Sequence, residues 1–188
     1  SARTVLFVSH NMGAIRGLGE KCLWIDSGKI RQFGPTSSVI ANYLESGSDE
    51  LVLGDSILSV GESLTLNKVL IRNSTGEQTK TLRPSEDFTV EVYYSAKERI
   101  NRPIFWIDVM GQYGHLFTAS MVFDGLSPRS IKGDGVMRCR FKRVTMLPQT
   151  YSITIRARGA NGTDVLAPTV SEACYFHVSG SAAEYSMD

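Results

Sequence analysis

The chain has 188 residues, with 20 Lys plus Arg against 19 Asp plus Glu and a formal net charge of +1. That balance argues against nucleic acid, an anionic membrane or an acidic substrate as the dominant partner. Apolar residues at 42% and charged residues at 21% describe a globular chain, without the roughly 18-residue apolar run of a membrane helix or a basic-then-apolar secretory start.

The first 47 residues carry an α/β pattern. Val5 to Val8 is a continuous apolar run, the signature of a strand buried on both faces in a parallel sheet. Asn11 is a helix cap for a segment from about Met12 to Cys22, with Ile15, Leu18 and Cys22 on one stripe. Gly13, Gly17 and Gly19 weaken that helix. Leu23–Ile30 reads as two short strands around an Asp26-Ser27-Gly28 turn. Gly34-Pro35-Thr36 opens a second helix, with Val39, Ile40, Tyr43 and Leu44 on its apolar face and Gly47 as its stop. Ser46 to Asp49 is small, polar and acidic, and marks the linker.

Beyond Leu51 the helical period gives way to alternation. The runs are Leu64–Arg72, Asp87–Ala96, Ile104–Met110, His115–Met121, Val136–Val144, Tyr151–Arg158 and Ala173–Val178, separated by Gly, Pro, Asn and Asp turns. Seven or more such strands predict a β-sandwich or barrel. Period two then assigns faces. Phe88, Val90, Val92 and Tyr94 face inward, as do Phe105, Ile107 and Val109; Tyr151, Ile153, Ile155 and Ala157; and Cys174, Phe176 and Val178. Cys139 shares an inward side with Met137 and Phe141. The three cysteines show no CxxC spacing and read as reduced, inert thiols of a cytoplasmic protein.

Catalytic and metal chemistry find little support. No Gly-x-x-x-x-Gly-Lys-Ser/Thr phosphate loop occurs, and Gly17-Leu-Gly19 lacks the third glycine of a dinucleotide fingerprint. His10, His115 and His177 are scattered, with no ligand spacing. Glu91 and Asp108 are the only mid-strand acids, and no Gly-x-Ser-x-Gly elbow is present. Asn73-Ser-Thr75 and Asn161-Gly-Thr163 match glycosylation acceptors but read as turns. The outward positions are richer. Trp106, Asp108, Arg156, Arg158, Tyr175 and His177 all oppose apolar positions of their strands. A ring that stacks on the C–H face of a sugar, flanked by groups that bond its hydroxyls, would read a carbohydrate. The same ring could instead cover a dimer interface or a tucked loop.

Two stretches resemble one family. Thr4–Met12, Cys22–Ile30 and Gly34–Leu44 are similar to the last segment of an ABC transporter ATPase, in which His10 matches the switch histidine that touches the γ-phosphate of ATP. Ile104–Phe117, Gly133-Asp-Gly135 and Leu147–Ile155 are similar to the domain appended to Wzt-type ATPases of O-antigen polysaccharide exporters. Pro148-Gln-Thr-Tyr151 stands where that family usually has Pro-Gly-x-Tyr.

The resemblance implies a mainly β chain: an immunoglobulin-like antiparallel β-sandwich over residues 48–188, preceded by a short α/β remnant of an ABC ATPase domain over residues 1–47. It implies non-catalytic recognition of the non-reducing end of an O-antigen polysaccharide for export across the inner membrane. The alternative is a dimerisation or regulatory domain of another polysaccharide or teichoic-acid exporter ATPase, without a glycan pocket. The expected partners are the O-antigen polysaccharide, a second copy in a homodimer and a membrane-spanning ABC transporter subunit, with no nucleic acid. No cofactor is expected for this chain, ATP and Mg belonging to the full-length parent. The implied location is cytoplasmic, peripheral at the inner membrane of a Gram-negative bacterium. The homodimer expectation also leans on Ala173–Val178, read as an apolar edge strand open to pairing.

Overall fold

The structure, a computed structural model, describes residues 5–8, 15, 17–40, 42–43, 57–111 and 114–180. His10, the Asn11 cap, Leu44, Gly47 and the Ser46–Asp49 linker lie outside the described residues. The chain divides into two compact units, Ser1–Leu53 with Gln112–Gly114, and Gly54–Gly111 with His115–Asp188.

In the first unit β1 (Lys21–Asp26) and β2 (Lys29–Pro35) form an antiparallel hairpin. Ser27 and Gly28 both have positive φ, at 50° and 75°. A two-residue turn of matching twist requires that conformation, which is why a glycine sits second. The predicted helix to Cys22 ends early. Residues 15, 17 and 18 are helical, but the hairpin claims Lys21 and Cys22, paired with Pro35 and Gly34. Residues 36–40 and 42–43 are helical as expected. Val39 and Ile40 are buried, and Tyr43 meets the Trp24 ring edge-on at 5.5 Å. Val5 to Val8 form no strand, and Leu6 and Val8 are each 88% exposed. A strand of this composition needs a neighbour on both edges, and none of the described residues pairs with it.

The second unit is a sandwich. One sheet has the order β5 (Thr81–Leu82), β11 (Val165–Val178), β10 (Thr150–Arg158), β7 (Ile104–Gly111), β8 (Gly114–Ser120). The other has the order β3 (Ser59–Val60), β4 (Leu64–Arg72), β6 (Phe88–Asn101), β9 (Ser130–Phe141). Inward residues interleave between them. Val90, Val92, Val109, Ile153, Ile155 and Ala157 are fully buried, each large aliphatic contributing about 1.5–3 kcal/mol. Phe88 of the four-stranded sheet lies 5.5 Å from Phe176 of the other and stacks on Phe141 at 4.7 Å, which locks the layers together.

The quoted turn motifs have structural reasons. Tyr151 is buried, stacks on Phe176, and its hydroxyl donates to the Leu147 carbonyl at 2.8 Å, closing the turn over Pro148. Gly135 lies opposite Tyr94, and a Cβ there would collide with the Tyr94 ring. The Asn73 and Asn161 side chains each accept backbone N–H bonds two residues on, as turn formers. Burial pushes the Cys139 and Cys174 thiols up to about 11 and about 12, so both stay protonated at neutral pH.

One premise of the dimer expectation is corrected. The strand that ends at Val178 is not an edge strand. It has β10 on one side and β5 on the other, where His177 pairs with Thr81 and Val178 with Leu82 in parallel. The His177 amide donates to the Lys80 carbonyl at 2.7 Å, and the pairing with β5 covers these last two residues of the strand.

Candidate functional site

The outward face of the five-stranded sheet is built by register. Antiparallel pairing sets Arg156 opposite Trp106, Thr154 opposite Asp108 and Ser152 opposite Met110. On the other flank of β10, Ser152 faces Tyr175 and Thr150 faces His177. Trp106, Asp108, Arg156, Arg158, Tyr175 and His177 therefore share one face, as alternation required. They form two groups. Arg156 contacts both Trp106 and Asp108. Tyr175 and His177 lie further along, beside the hydroxyls of Ser152 and Thr150. Arg158 stands at the opposite end, its guanidinium donating to the Ala157 carbonyl at 3.1 Å.

Asp108 departs from the expectation of a solvent-facing acid. It is 6% exposed. Arg156 donates from Nε and Nη2 to its two oxygens, each at 2.8 Å, and Thr118 donates to Oδ1 at 2.6 Å. His115 Nε2 sits 2.8 Å from the Thr118 hydroxyl and 3.8 Å from Asp108 Oδ1. Burial pushes the Asp108 carboxyl up, but the bonds from Arg156 and Thr118 outweigh it and hold the carboxyl below its usual range. Arg156 is committed to Asp108, and its guanidinium carbon also lies 5.1 Å from the Trp106 ring centre. One face of that ring is thus covered by an arginine, and its edge lies near Gly162 of the β10–β11 turn.

Alternation along single strands could not supply Thr118 and His115. Both come from β8, and only the strand order places them beside Asp108. Their one legible signal was two polar residues in an otherwise apolar run.

The outward face of the other sheet repeats the device. Glu91 is 3% exposed and accepts from Arg72 Nε at 2.7 Å, Arg138 Nε at 2.7 Å and the Tyr93 hydroxyl at 2.9 Å. Here too burial pushes the carboxyl up and the three donors bring it below its usual range. Among the described residues no three His, Cys, Asp or Glu side chains cluster to hold a metal ion, and no helix is long and apolar enough to cross a membrane.

The family model of the Wzt C-terminal domain matches residues 61–186, two thirds of the chain. The chain belongs to the Wzt C-terminal domain family. The O-antigen export system ATP-binding protein RfbB of Myxococcus xanthus is 23% identical over 203 aligned residues, covering 97% of this chain and 45% of RfbB. Teichoic acids export ATP-binding protein TagH of Staphylococcus saprophyticus is 44% identical over 41 residues, which are 22% of this chain and 16% of TagH. The chain thus spans less than half the length of these curated relatives. The crystal structure of the C-terminal domain of Wzt superposes with a TM-score of 0.54 at 12% identity, over 68% of this chain and 81% of that one. At that identity the likeness is one of fold. It carries the mainly β, antiparallel sandwich of the Wzt C-terminal domain.

Proposed function

We propose that this chain joins the closing segment of an export ATPase, residues 1–47, to a non-catalytic glycan-recognition domain, residues 48–188. The domain reads the non-reducing end of an O-antigen polysaccharide at the cytoplasmic face of the inner membrane. A second copy and a membrane-spanning transporter subunit complete the exporter, and His10 serves as the switch histidine once the rest of an ATPase surrounds it. ATP and Mg are properties of that larger protein.

The observation that carries the reading is the open face of the five-stranded sheet. There an aromatic ring, a neutralised Arg156–Asp108 pair and the hydroxyls of Thr150 and Thr154 adjoin Tyr175 and His177. Rings and hydroxyls recognise neutral, hydroxyl-rich polymers. The internal pairing of Arg156 favours a neutral terminal sugar at this end over an anionic one. A few wet hydrogen bonds and one stacking contact give binding of about −4 to −8 kcal/mol, millimolar to micromolar. Weak binding suits a ligand that must be released for transport.

The arginine already seated over Trp106 favours a second reading, a dimerisation or regulatory domain with no glycan pocket. Titration of intact and end-trimmed O-polysaccharides against the chain separates the two. Recognition of the terminus predicts binding of the intact polymer, loss on trimming, and loss in a Trp106→Ala variant that keeps its circular dichroism spectrum. Equal binding by that folded variant, or none by the parent chain, would sink the glycan reading.

A further inference from the structure

The outward face of the four-stranded sheet carries charge that the reading above does not use. Its register aligns Arg72 with Thr89 and Arg140 in one row, Leu70 with Glu91 and Arg138 in the next, and Lys68 with Tyr93 and Val136 in a third. Lys68, Arg72, Arg138 and Arg140 therefore project from one face, Arg138 and Arg140 being about 7 Å apart along β9 and Lys68 and Arg72 about 13 Å apart along β4. Glu91 in their midst is buried and saturated by its three donors. Asp87 at the rim accepts from Arg140 Nη2 at 3.2 Å and from the Arg143 amide at 3.0 Å. Four cations against these two carboxylates leave a surplus of two positive charges. Asp134 stands beyond the third row, held by Ser95 at 2.6 Å, while Lys142 and Arg143 extend the basic end.

The surplus is presented to solvent. The Arg138 and Arg140 side chains are 60% and 61% exposed, and each gives one nitrogen to its carboxylate. A guanidinium has five N–H donors in a planar fork that fits carboxylate and phosphate oxygens. Lys68 lies 4.7 Å over the Tyr93 ring, fixing an ammonium beside the strip. At the Arg140 end the strip runs into a shallow depression of about 250 Å³, walled by Arg140, Thr89 and Asp87 and by Asn73, Ser74 and Thr75, the last three already donating to the carboxylates of Glu77 and Glu86. The Thr89 hydroxyl beside the exposed Arg140 guanidinium suits a sugar that carries an acid group.

We infer that this face binds the acidic groups, carboxylate or phosphate, of an anionic polysaccharide. The inference rests on the reading of the domain as a glycan binder and assigns the acidic part of the glycan to the sheet opposite Trp106. Two surplus charges are too few for the many phosphate contacts that hold nucleic acid.

The test titrates the full 188-residue chain with polygalacturonate and with phosphomannan, and with neutral dextran as reference. At least one acidic glycan binds and dextran does not. Arg138→Gln with Arg140→Gln weakens that binding about tenfold or more, as loss of two charge-assisted contacts requires. Lys132→Gln, six residues from Arg138 along β9 and so about 20 Å away, changes it less than about twofold, because screening at 0.15 M salt confines the effect to nearby charges. If the double variant fails to fold, Arg140→Gln alone decides, since its partner Asp87 is itself 27% exposed in the side chain; a folded Arg140→Gln that binds like the parent overturns the inference. It is also overturned if a DNA duplex or phosphatidylglycerol vesicles bind as tightly as the acidic glycans. Absence of acidic-glycan binding, with O-polysaccharide binding intact, overturns this inference alone. Absence of both removes the glycan reading with it.

Discussion

The two outward faces of the sandwich each bury one carboxylate, and they neutralise it differently. Glu91 on the four-stranded sheet has two arginines and a tyrosine. Asp108 on the five-stranded sheet has one arginine, which takes both of its oxygens, and one threonine. The first arrangement is redundant and leaves positive charge over. The second is minimal, one arginine for one carboxylate beside Trp106. A net charge of +1 for the whole chain conceals this sidedness, because an average over the chain cannot report which face holds the surplus.

The largest effect that would sharpen the comparison is a difference in stability between two arginine deletions. Arg156→Met leaves Asp108 buried with no cation in contact. Removing one partner of a buried pair costs roughly 3–5 kcal/mol. The Arg156 side chain is 36% exposed, so solvent screening places the loss near the low end, about 3 kcal/mol. Arg138→Met leaves Glu91 with Arg72 and Tyr93 still bonded, and costs about 1 kcal/mol, because the Arg138 side chain is 60% exposed and solvent screens the pair. Urea unfolding of both variants measures the difference. Equal losses would mean that the second arginine on Glu91 is not a spare.

A smaller effect, in pH dependence, follows from the same asymmetry. In the native protein both carboxyls are held below their usual range. Each then contributes stability that is complete above the unfolded carboxylate value near 4 and is lost as pH falls through the folded value. In Arg156→Met burial is opposed only by Thr118, with the more distant His115 behind it. The Asp108 carboxyl then rises above its unfolded value, and its contribution changes sign, declining as pH rises through that window. Glu91 in Arg138→Met keeps its original sign. Carboxyl carbon shifts followed by NMR between about pH 3 and 7 report both groups. An Asp108 titration unmoved by Arg156→Met would show that burial is not the opposing force.

These relations mark where sequence stops being informative. Alternation placed Ile153, Ile155, Val90 and Val109 inward, because period two is a property of one strand. It also put Trp106, Asp108 and Arg156 on one face. It could not show that Asp108 lies beneath Arg156 and Thr118, since that depends on which strands are neighbours. Thr81–Leu82 is too short for any period and is a strand only through its parallel pairing with β11. The first half of β11 escaped notice for a local reason. Pro168 interrupts the apolar run, and Glu172 at φ 55° bulges the strand, so its alternation shifts between Val170 and Cys174. The apolar run at Val5–Val8 was read as a buried strand from composition alone, and composition cannot supply the neighbours that such a strand needs.

The smallest effect concerns the hydroxyl that completes the Asp108 site. Thr118 donates to Asp108 Oδ1 at 2.6 Å and meets His115 Nε2 at 2.8 Å. Valine has nearly the same shape and lacks the hydroxyl, so Thr118→Val removes these bonds without opening a cavity. Asp108 keeps both bonds from Arg156, so no uncompensated charge is left and the loss is that of a hydrogen bond to a charged group, about 1.5 kcal/mol. Thr118→Ser restores the donor and should recover most of the loss, less the methyl group's packing of about 0.8 kcal/mol or below. Chemical denaturation of the three proteins reads these differences directly. A neutral Thr118→Val would mean that Arg156 alone satisfies Asp108. In that case the two faces differ only in the number of their arginines, and β8 adds nothing to the contrast.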